Sequence, residues 1–144
     1  MEVPKKNQIL NSFCNDEKLI HHCKHLLLEL YRCDCEKLND ESFLRCLLDR
    51  ASKLAKARVL NLISNKFEPQ GVTAIALLAE SHISIHTWPE SNYSAVDIFT
   101  CGQNMKPELA SQYLIETLKA EEHFLRIIKR NPPSAVLKEI RTFV

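Results

Sequence analysis

Between the chain's two glycines, Gly71 and Gly102, lies a stretch crowded with side chains able to do chemistry: Thr73, Glu80, Ser81, His82, His86 and Cys101. A serine hydroxyl becomes a nucleophile only when a base or a strained peptide activates it, and histidine takes or gives protons near neutral pH. Two histidines lie within five residues of Ser81. In a regular strand Ser81 and His86 would face opposite sides, so contact between them requires a bend, and a turn or strained backbone is predicted at Glu80-Ser81. Taken singly, each residue has an ordinary reading. Free cysteine is among the most buried residue types, and strand histidines more often satisfy a core hydrogen bond than catalyse.

The elements that must hold these residues follow from periodicity. The short apolar run from His25 to Tyr31, ending at Cys33-Asp34-Cys35, suits a buried strand that closes in a turn. Asp40 can cap a helix in which Phe43, Leu44, Leu47, Leu48, Ala51, Leu54 and Ala55 recur at the spacing of one apolar face. Residues Val59 to Phe67 and Val72 to Leu78 read as a hairpin around Glu-Pro-Gln-Gly, and His82 to Thr87 with Ala95 to Cys101 as a second one around Pro89 to Asn92. Pro107 opens a second helix lined by Ala110, Tyr113, Leu114, Thr117 and Leu118, and His123 to Lys129 forms a last strand. The pattern predicts an α+β fold: a two-layer sandwich with a mainly antiparallel sheet and helices packed on one face. Residues 1–22 read as an N-terminal extension and 23–144 as a single domain, with a tail after Asn131-Pro132-Pro133 that is helical or irregular.

Charge and composition narrow the function. The 19 Lys and Arg are interleaved with 18 Asp and Glu for a net charge of +1, which argues against a nucleic-acid partner. No stretch approaches the roughly 18 apolar residues of a membrane helix, and no signal-peptide pattern follows Met1, so a cytoplasmic protein is expected. Its six cysteines are then expected as reduced thiols. His21, His22, Cys23, His25, Cys33 and Cys35 invite a zinc reading, but no Cys-x-x-Cys pair supports it and no metal site is expected.

The run Glu80-Ser-His-Ile-Ser-Ile-His-Thr-Trp-Pro-Glu90, followed by Tyr93-Ser-Ala-Val-Asp-Ile-Phe-Thr-Cys-Gly102, resembles the signature of bacterial and archaeal S-adenosylmethionine decarboxylases. Phe67-Glu-Pro-Gln-Gly-Val72 and the strand from His25 to Asp34 extend the resemblance to about residues 24–130. It implies a proenzyme that cuts itself between Glu80 and Ser81, leaving chains 1–80 and 81–144. Ser81 would become a pyruvoyl cofactor that forms a Schiff base with the substrate amine. His86 would be the processing proton acceptor, Thr73 would assist processing, and Cys101 would be the proton donor. Phe67 would stack on adenine and Glu90 would hold the ribose hydroxyls.

The substrate so implied is S-adenosylmethionine, the product an aminopropyl donor for polyamine synthesis, and the assembly a homodimer of two-chain protomers with sites formed between them. The chain departs from the family pattern at Asn65, where a histidine is common ahead of the phenylalanine, and at Thr73-Ala74, where Ser-Gly is usual. Trp88 reads as packing and His82 has no assigned role. Two alternatives stand beside the main reading: a pyruvoyl-dependent arginine or ornithine decarboxylase of the same architecture, and a non-cleaving regulatory paralogue.

Overall fold

A computed structural model describes residues 23–130; the expected N-terminal extension, its His21 and His22, and the tail after Asn131 lie outside the described residues. Six antiparallel strands form one sheet in the order β2-β3-β4-β5-β1-β6. They are β1 (Cys23–Tyr31), β2 (Val59–Lys66), β3 (Val72–Leu78), β4 (Ser81–Trp88), β5 (Tyr93–Cys101) and β6 (Glu122–Arg130). Both expected hairpins are present, and a two-residue turn at Ala79-Glu80 joins them into a meander from β2 to β5. β1 then inserts between β5 and β6, so the chain's first and last described strands are neighbours.

Among the described residues three α-helices accompany the sheet: α1 (Cys35–Leu38), α2 (Glu41–Leu54) and α3 (Pro107–Thr117). α2 lies over β2 and β3 and against α3, which in turn lies over β1 and β5. Strand alternation decides what they cover. Leu26, Leu28 and Leu30 of β1, Ala74 and Ala76 of β3, Ile83 and Ile85 of β4, and Val96 and Ile98 of β5 are fully or almost fully buried. They meet Leu44, Leu47, Leu48 and Ala51 of α2 and Ala110 and Leu114 of α3, giving the expected two-layer core.

Local chemistry fixes the helix starts. The Asp40 carboxylate accepts the Phe43 backbone N–H at 2.9 Å, as its capping position predicts. Asp34 does the same for the short α1, accepting from Glu36 and Lys37. The sequence reading saw only a turn there, because four residues are too few for a hydrophobic period. Leu54, expected on the apolar face, is 43% exposed, since it ends α2 beyond the edge of the sheet contact. Arg45 ties α2 to edge strand β2, donating to Ser64 Oγ at 2.8 Å and to the Leu62 carbonyl at 3.0 Å. No described helix is long and apolar enough to cross a membrane.

Among the described residues, the sheet's other face carries no helix. Tyr31, Ile63, Leu77, Trp88, Phe124 and Ile128 alternate onto it and are exposed. Every residue with a catalytic expectation that lies inside a strand, apart from Ser81, faces this side.

Candidate active site

Ser81 opens β4 immediately after the Ala79-Glu80 turn and pairs with Leu78. The expected bend is therefore present, made by a two-residue hairpin connection. Glu80 is held in it: its carboxylate accepts the Arg58 backbone N–H at 3.3 Å, while the Ala79 N–H donates to the Arg58 carbonyl at 2.9 Å. Ser81 is half-buried, and its Oγ lies 3.4 Å from His82 Nδ1. His82, unassigned from the sequence, is thus the histidine beside the serine within one chain.

His86 lies elsewhere. It stands directly opposite Thr73 on β3, and Thr73 Oγ1 and His86 Nδ1 form a 2.9 Å hydrogen bond. The bend at Glu80-Ser81 does not bring His86 to Ser81, because β4 continues as regular strand between them. Five register positions separate the pairs Leu78–Ser81 and Thr73–His86. At about 3.3 Å per residue that is ~16 Å along the strands.

Thr73 owes its place to the loop before it. Gly71 has φ +101°, and a side chain there would meet the Thr87 carbonyl oxygen at 3.1 Å, so glycine is required by both conformation and space. Its N–H donates to Asn39 Oδ1, the Val72 N–H donates to Thr87 Oγ1 at 2.9 Å, and Thr87 Oγ1 donates to the Leu38 carbonyl at 2.7 Å. This buried relay fastens the start of β3 to the end of α1. Phe67 closes the same loop, donating its N–H to the Gly71 carbonyl at 2.8 Å, and its ring is 48% exposed. Glu90, exposed, sits in the single 3-10 turn Pro89–Ser91 that follows β4, close to Gly71 through Pro89.

Cys101 ends β5 on the open face, two residues beyond the Phe99 that pairs with His82. The site residues therefore divide into two groups. Ser81, whose parity points it to the helix side, and the open-face His82 and Cys101 lie at one end of the sheet, and Thr73, His86, Phe67 and Glu90 at the other.

Cys101 also carries a correction. It lies directly opposite Cys23 of β1, with Cα atoms 4.1 Å apart, and the two sulfurs are joined as a disulfide. The expectation of reduced thiols fails at this pair because the β1–β5 register, hidden from a local sequence reading, makes the two residues cross-strand neighbours. Cys33, Cys35 and Cys46 are free. Burial pushes the Cys33 thiol up to about 11.

Other side chains on the open face escaped the sequence reading. Trp88 stacks on Tyr93 at 5.2 Å and tilts over His86 at 6.4 Å, and Tyr93 stacks in turn on Tyr31 at 5.4 Å. Burial, reinforced by the hydrogen-bonded Glu29 carboxylate, raises the Tyr93 phenol. At the Ser81 end His25 Nε2 lies 2.9 Å from Asp97 Oδ1, while Arg130 approaches His25 Nδ1 at 3.3 Å. Period-two alternation marks all of them as sharing one face; only pairing register shows which end they occupy.

Comparison with known proteins gives a consistent result. The family model described as S-adenosylmethionine decarboxylase matches residues 24–131. An S-adenosylmethionine decarboxylase proenzyme from Synechococcus is 59% identical over 119 residues, covering 83% of this chain and 93% of the relative. A proenzyme of the same description from Methanococcus maripaludis is 45% identical over 107 residues, covering 74% and 88%. The crystal structure of the adenosylmethionine decarboxylase from Aquifex aeolicus superposes with a TM-score of 0.73 at 36% identity, covering 78% of this chain and 92% of that one. A match across nearly all the described residues, in sequence and in fold, makes this chain a member of the S-adenosylmethionine decarboxylase family.

Proposed function

We propose that the chain cuts its own Glu80-Ser81 bond, turns Ser81 into a pyruvoyl group, and removes the carboxylate of S-adenosylmethionine as carbon dioxide. The observation that carries this reading is the interval of ~16 Å along the strands between Ser81 and His86, which leaves the two groups of site residues each chemically incomplete alone. Two chains meeting face to face about a two-fold axis can set one group of each chain against the other group of its partner. A homodimer of two-chain protomers then holds two whole sites. The exposed Tyr31, Ile63, Leu77, Trp88, Phe124 and Ile128 support such a pairing, since an apolar sheet face of this kind marks an interaction surface.

In processing, the Ser81 hydroxyl attacks the Glu80 carbonyl, an ester replaces the peptide bond, and β-elimination frees Glu80 as a carboxylate and leaves a dehydroalanine, whose imine tautomer takes up water and loses ammonia. The partner's His86 takes the Ser81 α proton. When Thr73 Oγ1 accepts from His86 Nδ1–H, the Nε2 lone pair is left free for that proton. Ser81 fits the group it is to become, since it is half-buried at the mouth of a turn and the new terminus it heads stays anchored by the β4 ladder. The pyruvoyl carbonyl supplies an electron sink for the pair left when carbon dioxide departs. Cys101, as a free thiol, returns a proton to the substrate carbon. Phe67 offers a ring face to the adenine and the sulfonium, and Glu90 accepts the ribose hydroxyls. The product is an aminopropyl donor for polyamine synthesis, made in the cytoplasm.

Carbon dioxide release from carboxyl-labelled substrates tests the assignment. The reduced enzyme is expected to act on S-adenosylmethionine at least ~100-fold faster than on arginine or ornithine, because the adenosyl contacts have no counterpart in a plain amino acid. Preference for arginine or ornithine would assign the chain to the alternative substrate class, and release from none of the three would favour a regulatory role.

A further inference from the structure

The Cys23–Cys101 bond joins the residue proposed as proton donor to a cysteine on another strand that has no part in the reaction. The two lie in direct register, both half-buried on the open face, with Cα atoms 4.1 Å apart. β1 and β5 are adjacent strands flanked by β6 and β4, so the ladder holds the two cysteines side by side. Cys33, Cys35 and Cys46 lie on the helix side of the chain and have no comparable partner among the described residues.

A structural staple can be placed at any compatible cross-strand pair. Placed at this one, the bond consumes a thiol that protonation of the product carbon requires. The reactive state and the bonded state therefore exclude each other. Their exchange reaches further than the site, because Cys23 belongs to the 1–80 chain and Cys101 to the 81–144 chain. After self-cleavage the same bond is the one covalent link between the two chains seen among the described residues.

We infer that Cys23 and Cys101 form a thiol–disulfide modification site that takes small-molecule disulfides, with Cys23 the resolving cysteine, and that oxidation there reversibly silences the enzyme. The inference rests on Cys101 being the proton donor. The Cys101 thiolate attacks one sulfur of the small disulfide, forming a mixed disulfide and expelling one thiolate. The Cys23 thiolate then attacks Cys101 Sγ, closing the protein disulfide and expelling the second thiolate. Two protein thiols lose two electrons and two protons in total, and the small disulfide gains them as two thiols. A dithiol reductant runs both steps backwards.

The experiment treats matured, reduced enzyme with glutathione disulfide and follows two readouts: non-reducing peptide mass mapping for a linked Cys23–Cys101 pair, and carbon dioxide release. The linked pair is expected to form together with at least a ~tenfold loss of rate, and both are expected to reverse within about twofold on adding a dithiol. Cys23→Ser is expected to stop at a mixed disulfide on Cys101 and never to give the linked pair. Two thiols that stay unlinked in the native enzyme, with activity retained, would overturn the inference and leave the donor role of Cys101 standing. A linked pair with full activity would instead overturn the donor role, and the silencing with it.

Discussion

Thr73 and His86 face each other across β3 and β4 with 2.9 Å between Oγ1 and Nδ1, while Ser81 stands on the same β4 strand five register positions away. A rigid ladder of backbone hydrogen bonds holds that interval, so the pair and the serine cannot meet within one chain. The proposed reaction must then be completed between chains, and this has direct consequences.

Co-expressing Ser81→Ala chains with His86→Ala chains is expected to restore what neither does alone. In the mixed dimer, Ser81 of the His86→Ala chain meets an intact His86 from its partner, so that chain is cut while the Ser81→Ala chain stays whole. Gel analysis with differently tagged chains checks this. Cutting of the His86→Ala chain to the same extent in its own homodimer would contradict an acceptor role for His86.

In the proposed mechanism Thr73 acts through His86, to which it is hydrogen-bonded, and its hydroxyl rather than its size carries the expected effect. Thr73→Val keeps the shape and removes the hydrogen bond to Nδ1. Self-cleavage is expected to slow at least ~tenfold, whereas Thr73→Ser restores it, the loss being that of one hydrogen bond that orients a proton-transfer group.

The free cysteines should separate by reactivity. With its thiol pushed up to about 11 by burial, Cys33 holds only about a thousandth of its population as thiolate at pH 8. Cys35 and Cys46 are exposed. Timed alkylation of the folded protein with mass mapping should label both at least ~tenfold before Cys33. As pH rises toward 11 the Cys33 thiolate grows and the gap narrows.

Much of this was legible in the sequence, for physical reasons that differ by residue. Period-two alternation in β3, β4 and β5 and the three-and-four spacing of Leu44, Leu47, Leu48 and Ala51 are dictated by burial on one side, so strands, helices and the two-layer arrangement could be read directly. Asp40 announced α2 by its capping chemistry. Long-range register left no local trace. That is why the Cys23–Cys101 pair, the His25–Asp97 contact and the ~16 Å interval between Ser81 and His86 required the fold. Trp88 packs on Tyr93 and over His86, and only the register shows that these are the rings it meets.

The helix start offers a stability check independent of function. Asp40→Ala removes the carboxylate that accepts the Phe43 N–H and should lower unfolding free energy by about 1 kcal/mol, measured by urea denaturation of the reduced protein. Asp40→Asn, which keeps an acceptor oxygen, should recover most of it.

The most direct test is the intact mass of the matured protein under denaturing and reducing conditions, with Ser81→Ala as the uncut control. Reduction is essential, since the Cys23–Cys101 bond would otherwise hold the two pieces together. Scaling 16.6 kDa by 80/144 and 64/144 gives expected chains of roughly 9.2 and 7.4 kDa, the smaller lighter by one ammonia than a serine-headed chain. Those two masses, absent from Ser81→Ala, are the predicted result. A single full-length chain of 16.6 kDa in both samples would contradict self-processing and with it the pyruvoyl mechanism.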